Sequence, residues 1–205
     1  MHHDQRGATS FGNGPDDYPI STVALLEALM AGLSCVRADG LHWPSDSEYT
    51  RCVLEALAAA GRHRHLASYP DCETGNPACL WDASWWLETE RDLNLVFAAE
   101  SEWQCGGKVK QDFEKLLVAK CFLKLFITDS KGRFENTRET ILEPSLRRYL
   151  CHTKGELYVW IDVEGTLTGG RFRAFQYCPL ACGPDRFAKF EPFGTDPFEY
   201  SFQLP

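Results

Sequence analysis

The sequence predicts an α/β fold, a mixed sheet flanked by helices, and two observations carry that expectation. Apolar residues recur at helical spacing in three places, near residues 20–33, 45–60 and 109–121. Between and after these lie short apolar or alternating runs suited to strands, bounded by Gly, Pro and Asp clusters. The two kinds of segment interleave as helix, strand, hairpin, helix, strand, helix, hairpin, which favours helices packed on a sheet over separate helical and β domains.

The helix at 20–33 has Ser21 as its cap and Val23, Leu26, Leu29, Met30 and Leu33 as its stripe. A second helix starts at Ser45 or Ser47, buries Cys52, Val53, Ala56, Leu57 and Ala60, and stops at Gly61. A short strand follows at 66–69, and then a hairpin spanning 81–102. Gly106 and Gly107 break the chain before the 109–121 helix, whose stripe is Val109, Phe113, Leu116, Leu117 and Cys121, with Lys120 continuing it. Residues 122–127 read as a strand, 129–132 as a turn, and 136–151 as a helix kinked or divided at Pro144. Residues 156–163 and 170–177 form a second hairpin. The Pro- and Phe-rich tail from 183 is expected to pack as irregular structure.

The chain has 205 residues, 44% of them apolar, enough for one domain with a substantial core. We expect that domain to span 20–205, after a flexible tail at 1–19 that lacks periodicity. A net charge of −8 argues against a general nucleic-acid binder, yet residues 101–150 carry ten basic and seven acidic groups, a local +3. Nine scattered cysteines and no signal-peptide pattern predict reduced thiols and a cytoplasmic location. Cys72, Cys79, Cys178 and Cys182 have poor spacing for structural zinc. No apolar run approaches the ~18 residues of a membrane span, so no membrane partner is expected.

The 81–102 hairpin concentrates the chemistry. If it is centred on Arg91, residue numbers of opposed pairs sum to 182 and Asp82 faces Glu100, with Glu102 on the same face. The odd residues of both strands are strongly apolar, and the even ones mix acids with small or apolar groups, so both faces should be buried. Carboxylates buried there call for a cation. Glu48 and Glu55 share one face of the preceding helix, and Lys115 lies about two turns into the following one. The competing expectation is plainer: Glu100 and Glu102 end a strand in solvent, Asp82 caps a turn, and the lysines are solvated.

Asp82 followed by Glu100-Ser101-Glu102, set between those helices, resembles the PD-(D/E)XK, or restriction-endonuclease-like, superfamily. The resemblance covers roughly residues 45–130 and implies an αβββαβ core, here with extra C-terminal strands. It also implies a nuclease that hydrolyses phosphodiester bonds with Mg²⁺ or Mn²⁺, acting on nucleic acid, with DNA favoured. Asp82 and Glu100 would be metal ligands, joined by Glu48 or, as second choice, Glu55. Glu102 stands where the motif lysine is usual, and Trp81 where its proline is. Lys115, with Lys120 in reserve, would supply the missing lysine beside Glu102. A homodimer stays open. The alternative function is a catalytically inactive module of the same fold, which the acidic balance and the altered motif would suit.

Overall fold

A computed structural model describes residues 46–71, 73, 75, 80–104, 106–153, 156–166, 169–177, 191–192 and 198–203. The expected tail at 1–19, the helix at 20–33 and the four cysteines weighed for zinc lie outside them. The elements are α1 (Asp46–Arg62), β1 (Ala67–Tyr69), β2 (Ala83–Glu88), β3 (Leu93–Glu102), α2 (Gly107–Val118) and β4 (Leu123–Thr128). They continue with α3 (Phe134–Thr137), a π-helical segment (Arg138–Leu142), α4 (Glu143–Arg148), β5 (Leu157–Thr166), β6 (Gly169–Tyr177), β7 (Glu191–Pro192) and β8 (Phe198–Gln203).

The eight strands among the described residues join one mixed sheet in the order β1 to β7, with β8 also paired to β6. β1, β2 and β3 form an antiparallel meander; β3, β4 and β5 run parallel; β5 and β6 close as a hairpin. The fold is therefore α/β, a mixed sheet flanked by helices. The tail is a correction: β7 and β8 each pair antiparallel with β6 instead of packing irregularly. β5 occupies one edge of β6, and the backbone N–H and C=O groups of the other edge are what β7 and β8 pair with.

Period-two alternation divides the core. Odd residues such as Trp85, Phe97, Ala99, Leu125 and Val159 pack beneath Val53, Leu57 and Ala60 of α1. Even residues such as Ala98, Phe126, Tyr158 and Trp160 pack beneath Val109, Phe113, Leu116 and Leu117 of α2 and beneath Phe134, Leu142 and Leu146. The hairpin register sums to 182 at Ala83↔Ala99, Ser84↔Ala98 and Trp85↔Phe97, then slips to Trp86↔Leu95. Val96 is the extra residue, a bulge that shifts the turn half of the hairpin by one position.

Two helix boundaries differ from expectation. α2 stops at Val118, so Lys120 and Cys121 lie beyond it. The segment expected to kink or divide at Pro144 is divided there, by a π-helical turn just before the proline, whose ring cannot tolerate the ordinary i−4 carbonyl.

α1 continues through Gly61 to Arg62, so Gly61 is not the stop it was expected to be. The glycine is needed for close approach. A Cβ there would lie 2.1 Å from Ser68 Oγ and 2.7 Å from Trp85 Nε1. Trp85 is fully buried and its Nε1 donates to Leu57 O at 3.0 Å, leaving little room to retreat. Gly61→Ala should cost about 1–3 kcal/mol through overpacking. Urea titration followed by tryptophan fluorescence checks this, and an unchanged midpoint would show that α1 slides freely over β2.

Candidate active site at the strand ends

Parallel register aligns Glu102 with Thr128 and Thr128 with Asp162, so the C-terminal ends of β3, β4 and β5 share one edge of the sheet. Open α/β sheets bind ligands at that edge. The even residues at the end of β3 point under α2, and Glu100 is only 1% exposed there. Glu102 is buried as well. The plainer expectation, in which both end a strand in solvent, is not met.

Asp82, half-buried just ahead of β2, accepts two hydrogen bonds on Oδ2, from Ser101 N at 2.8 Å and Ser101 Oγ at 2.9 Å. Those bonds hold the carboxylate against the end of β3. Trp81 Nε1 donates to Lys115 O at 3.3 Å and ties the entry of β2 to α2. From α2, Lys115 Nζ donates to both oxygens of Glu100 at 3.0 Å and pairs with Asp112 Oδ1 at 2.8 Å. Lys108, one turn earlier, pairs with Asp112 Oδ2 at 3.2 Å. Glu102 Oε1 accepts from Gln104 N at 2.7 Å, and its carboxyl group is hydrogen-bonded to that of Asp112.

The electrostatics follow from this crowding. Burial pushes the Glu100 carboxyl up to about 8, with the Asp82 charge adding to the rise and Lys115 working against it. Burial also raises Glu102, and its contact with Asp112 adds to the rise. Burial acts upward on Asp112 too, but the bonds from Lys115, Glu102 and Lys108 outweigh it and hold Asp112 below its ordinary value. Of the two carboxyls, Glu102 is the one that holds a proton more readily. Burial works against the Lys115 charge, yet Asp112 and Glu100 together raise its affinity for its proton.

The structure thus brings together Asp82, Glu100, Glu102 and Lys115. Glu55 stays outside, in an exposed ion pair with Arg51 at 2.8 Å. Lys120 stands apart from the acids, with Nζ near Tyr149 Oη at 3.5 Å and Cys151 O at 3.4 Å. The Glu48 backbone is in the first turn of α1, and its side chain lies outside the described residues. Asp112 was missed in the sequence. The signal was there, because positions 109, 112, 113 and 116 form one helical face, and a carboxylate on an otherwise apolar face needs a partner.

No family model, curated protein or solved structure matches the chain.

What the arrangement can do is set by its donors. Among the described residues, no three acidic, histidine or cysteine side chains converge closely enough to cage a metal by themselves. Magnesium does not require such a cage: one or two carboxylates suffice when waters and substrate phosphates complete the shell. Asp82 and Glu100 fit that need, being hard oxygen donors whose mutual repulsion is felt at Glu100.

Proposed function

We propose that the protein is a metal-dependent nuclease that hydrolyses phosphodiester bonds, with DNA as substrate. The observation that carries this reading is the meeting of Asp82, buried Glu100 and Lys115 at one strand end, with the lysine supplied from the following helix. The element order of residues 46–128, helix, three strands, helix, strand, supports a restriction-endonuclease-like core.

Asp82 and Glu100 would hold Mg²⁺ or Mn²⁺, with Glu48 as the remaining candidate. The ion would supply Lewis-acid polarisation of a phosphoryl oxygen and make a water more acidic. The chain's own groups do the positioning. Ser101 fixes Asp82 through two hydrogen bonds. Lys115 carries a firmly held positive charge that can neutralise charge developing on the phosphate. Glu102, hydrogen-bonded to Asp112, has its carboxyl at the same edge to orient a water.

The test is cleavage of plasmid DNA by the purified chain with Mg²⁺ or Mn²⁺. Asp82→Asn and Glu100→Gln should each lower the rate by about 10²-fold or more, the range seen on removing one electrostatic stabiliser. Folded protein that cuts neither DNA nor RNA with either ion would rule the reading out.

One observation favours a second reading, a non-catalytic module of the same fold. Lys115 Nζ already neutralises both Glu100 and Asp112, so the acids have a resident cation. Titration calorimetry separates the two readings, because the module should take up no Mg²⁺ or Mn²⁺ at this site.

A further inference from the structure

We propose that the turn at residues 130–133 is a backbone-gripping element that seats the phosphates of duplex DNA beside the candidate active site. The choice of DNA rests on the nuclease reading; the role of the turn rests on its own geometry.

The turn leaves the sheet at the end of β4. Its first residue is two past Thr128, the in-register neighbour of Glu102. Strand spacing of ~4.8 Å and a rise of ~3.3 Å per residue place it about 8 Å from the Glu102 backbone. α3 follows the turn and packs on the same sheet face as α2.

Its base is rigid. Asp162, fully buried, accepts from Ser130 N and from Ser130 Oγ, each at 3.0 Å, and is clamped by Arg173 Nη2 at 2.7 Å. Arg133 N donates to Ser130 O at 2.8 Å and closes the turn, while Lys131 N donates to Asp129 Oδ1 at 2.7 Å. Its tip is cationic. Lys131 and Arg133 are both exposed, and neither has an ion-pair partner among the described residues. The other cations near this edge are engaged: Lys108 and Lys115 with Asp112, and Lys110 with Glu114 at 3.8 Å.

The backbone adds a separate argument. Lys131 has φ 50° and Gly132 φ 76°, two left-handed residues in succession. Gly, Asn or Asp meets that demand with least strain, and lysine does not. A lysine at such a position, in a chain of net charge −8, points to a use for its ammonium group. Two unpaired cations on a rigid turn at the rim of a phosphodiester-cleaving site match what a duplex backbone offers: regularly spaced anions and no need for base contacts.

The experiment is fluorescence anisotropy of a short fluorescein-labelled DNA duplex with the full chain in EDTA, so that no cleavage intervenes, repeated over a series of salt concentrations. Lys131→Asn combined with Arg133→Gln should weaken binding about tenfold and make the slope of log K against log salt shallower by about 2. Asparagine tolerates the left-handed backbone, so the variant should keep its circular dichroism and melting curve. The charge-keeping pair Lys131→Arg with Arg133→Lys should bind like the wild type, as should Lys120→Gln beyond the C-terminal end of α2. An unchanged salt slope in the Asn/Gln variant would overturn the proposal, and so would failure of the wild type to bind the duplex. The two proposals fail separately. DNA gripped through the turn but never cut would refute only the nuclease, and DNA cut equally well by the turn variant would refute only the grip.

Discussion

Glu156→Gln should destabilise the chain by about 3–5 kcal/mol, the usual consequence of removing one partner from a buried ion pair. At ~2–4 °C per kcal/mol for a chain of this size, that is a fall in Tm of about 6–20 °C. Lys124 is fully buried inside the sheet and its Nζ lies 3.2 Å from Glu156 Oε2. The ammonium also donates to Tyr158 Oη at 2.9 Å and to Leu117 O at 3.4 Å. Tyr158 Oη donates to Glu156 Oε2 at 3.0 Å, so the three groups form one network. Burial lowers the Lys124 pKa even with Glu156 beside it; without the carboxylate the ammonium would have to give up its proton or stay uncompensated. Burial acts upward on Glu156, but His152 and Lys124 outweigh it and hold the carboxyl below its ordinary value. A carboxyl lowered in the folded chain contributes stability that is fully present above the unfolded pKa and is lost as pH falls through the folded one. The Glu156→Gln variant should therefore show a shallower acid-side loss than the wild type. Lys124→Met with Glu156→Leu should recover most of the deficit, because an apolar pair leaves no buried charge. Thermal melts of the three proteins decide it, and a loss under about 1 kcal/mol in the single variant would show that water reaches the pair.

The same sheet shows which parts of the structure were legible in the sequence. Parity worked where the hairpin is regular: the 182 rule gave Ala83↔Ala99 and placed Asp82 against the end of β3. It failed past Trp85, because the bulge at Val96 leaves no mark in an alternation that is apolar either way. Lys115 was found by reach, two turns into a helix that had to lie over the acids. Lys124 was not singled out, although it interrupts an apolar run at 122–127 that has the look of a fully buried strand. Its partner lies 32 residues on, and pairing over that distance is decided by the parallel register of β4 and β5, not by local pattern. Gly61 was misread for a related reason. Glycine at a helix end has a familiar local explanation, whereas the approach of Ser68 and Trp85 exists only once the chain has folded.

Glu100→Gln should have opposite effects on stability and on activity. In the metal-free wild type the Glu100 carboxyl is raised from 4.5 to about 8, so the folded chain binds this proton more tightly than the unfolded chain does. Stability from this group is therefore complete below about pH 4.5 and is lost progressively as pH rises through about 8. At 1.36 kcal/mol per pKa unit, the loss is on the order of 3–5 kcal/mol. A glutamine keeps the neutral form at every pH, so the variant should melt near the wild type at pH 5 and well above it at pH 8.5. Lys115 keeps Asp112 as a partner and is not stranded by the change. If Mg²⁺ takes the place of the proton, adding it to the wild type at pH 8.5 should raise Tm, release protons in a weakly buffered titration, and do neither in the variant. On the proposed nuclease reading, the variant should meanwhile have lost cleavage. Such a gain in stability at the expense of activity is expected where a buried carboxylate is kept for catalysis and not for folding. Equal pH–Tm profiles for the two proteins would show that Glu100 is already ionised against Lys115 at neutral pH. The acid and the lysine would then be an ordinary structural ion pair, with no deficit of positive charge for a metal to fill.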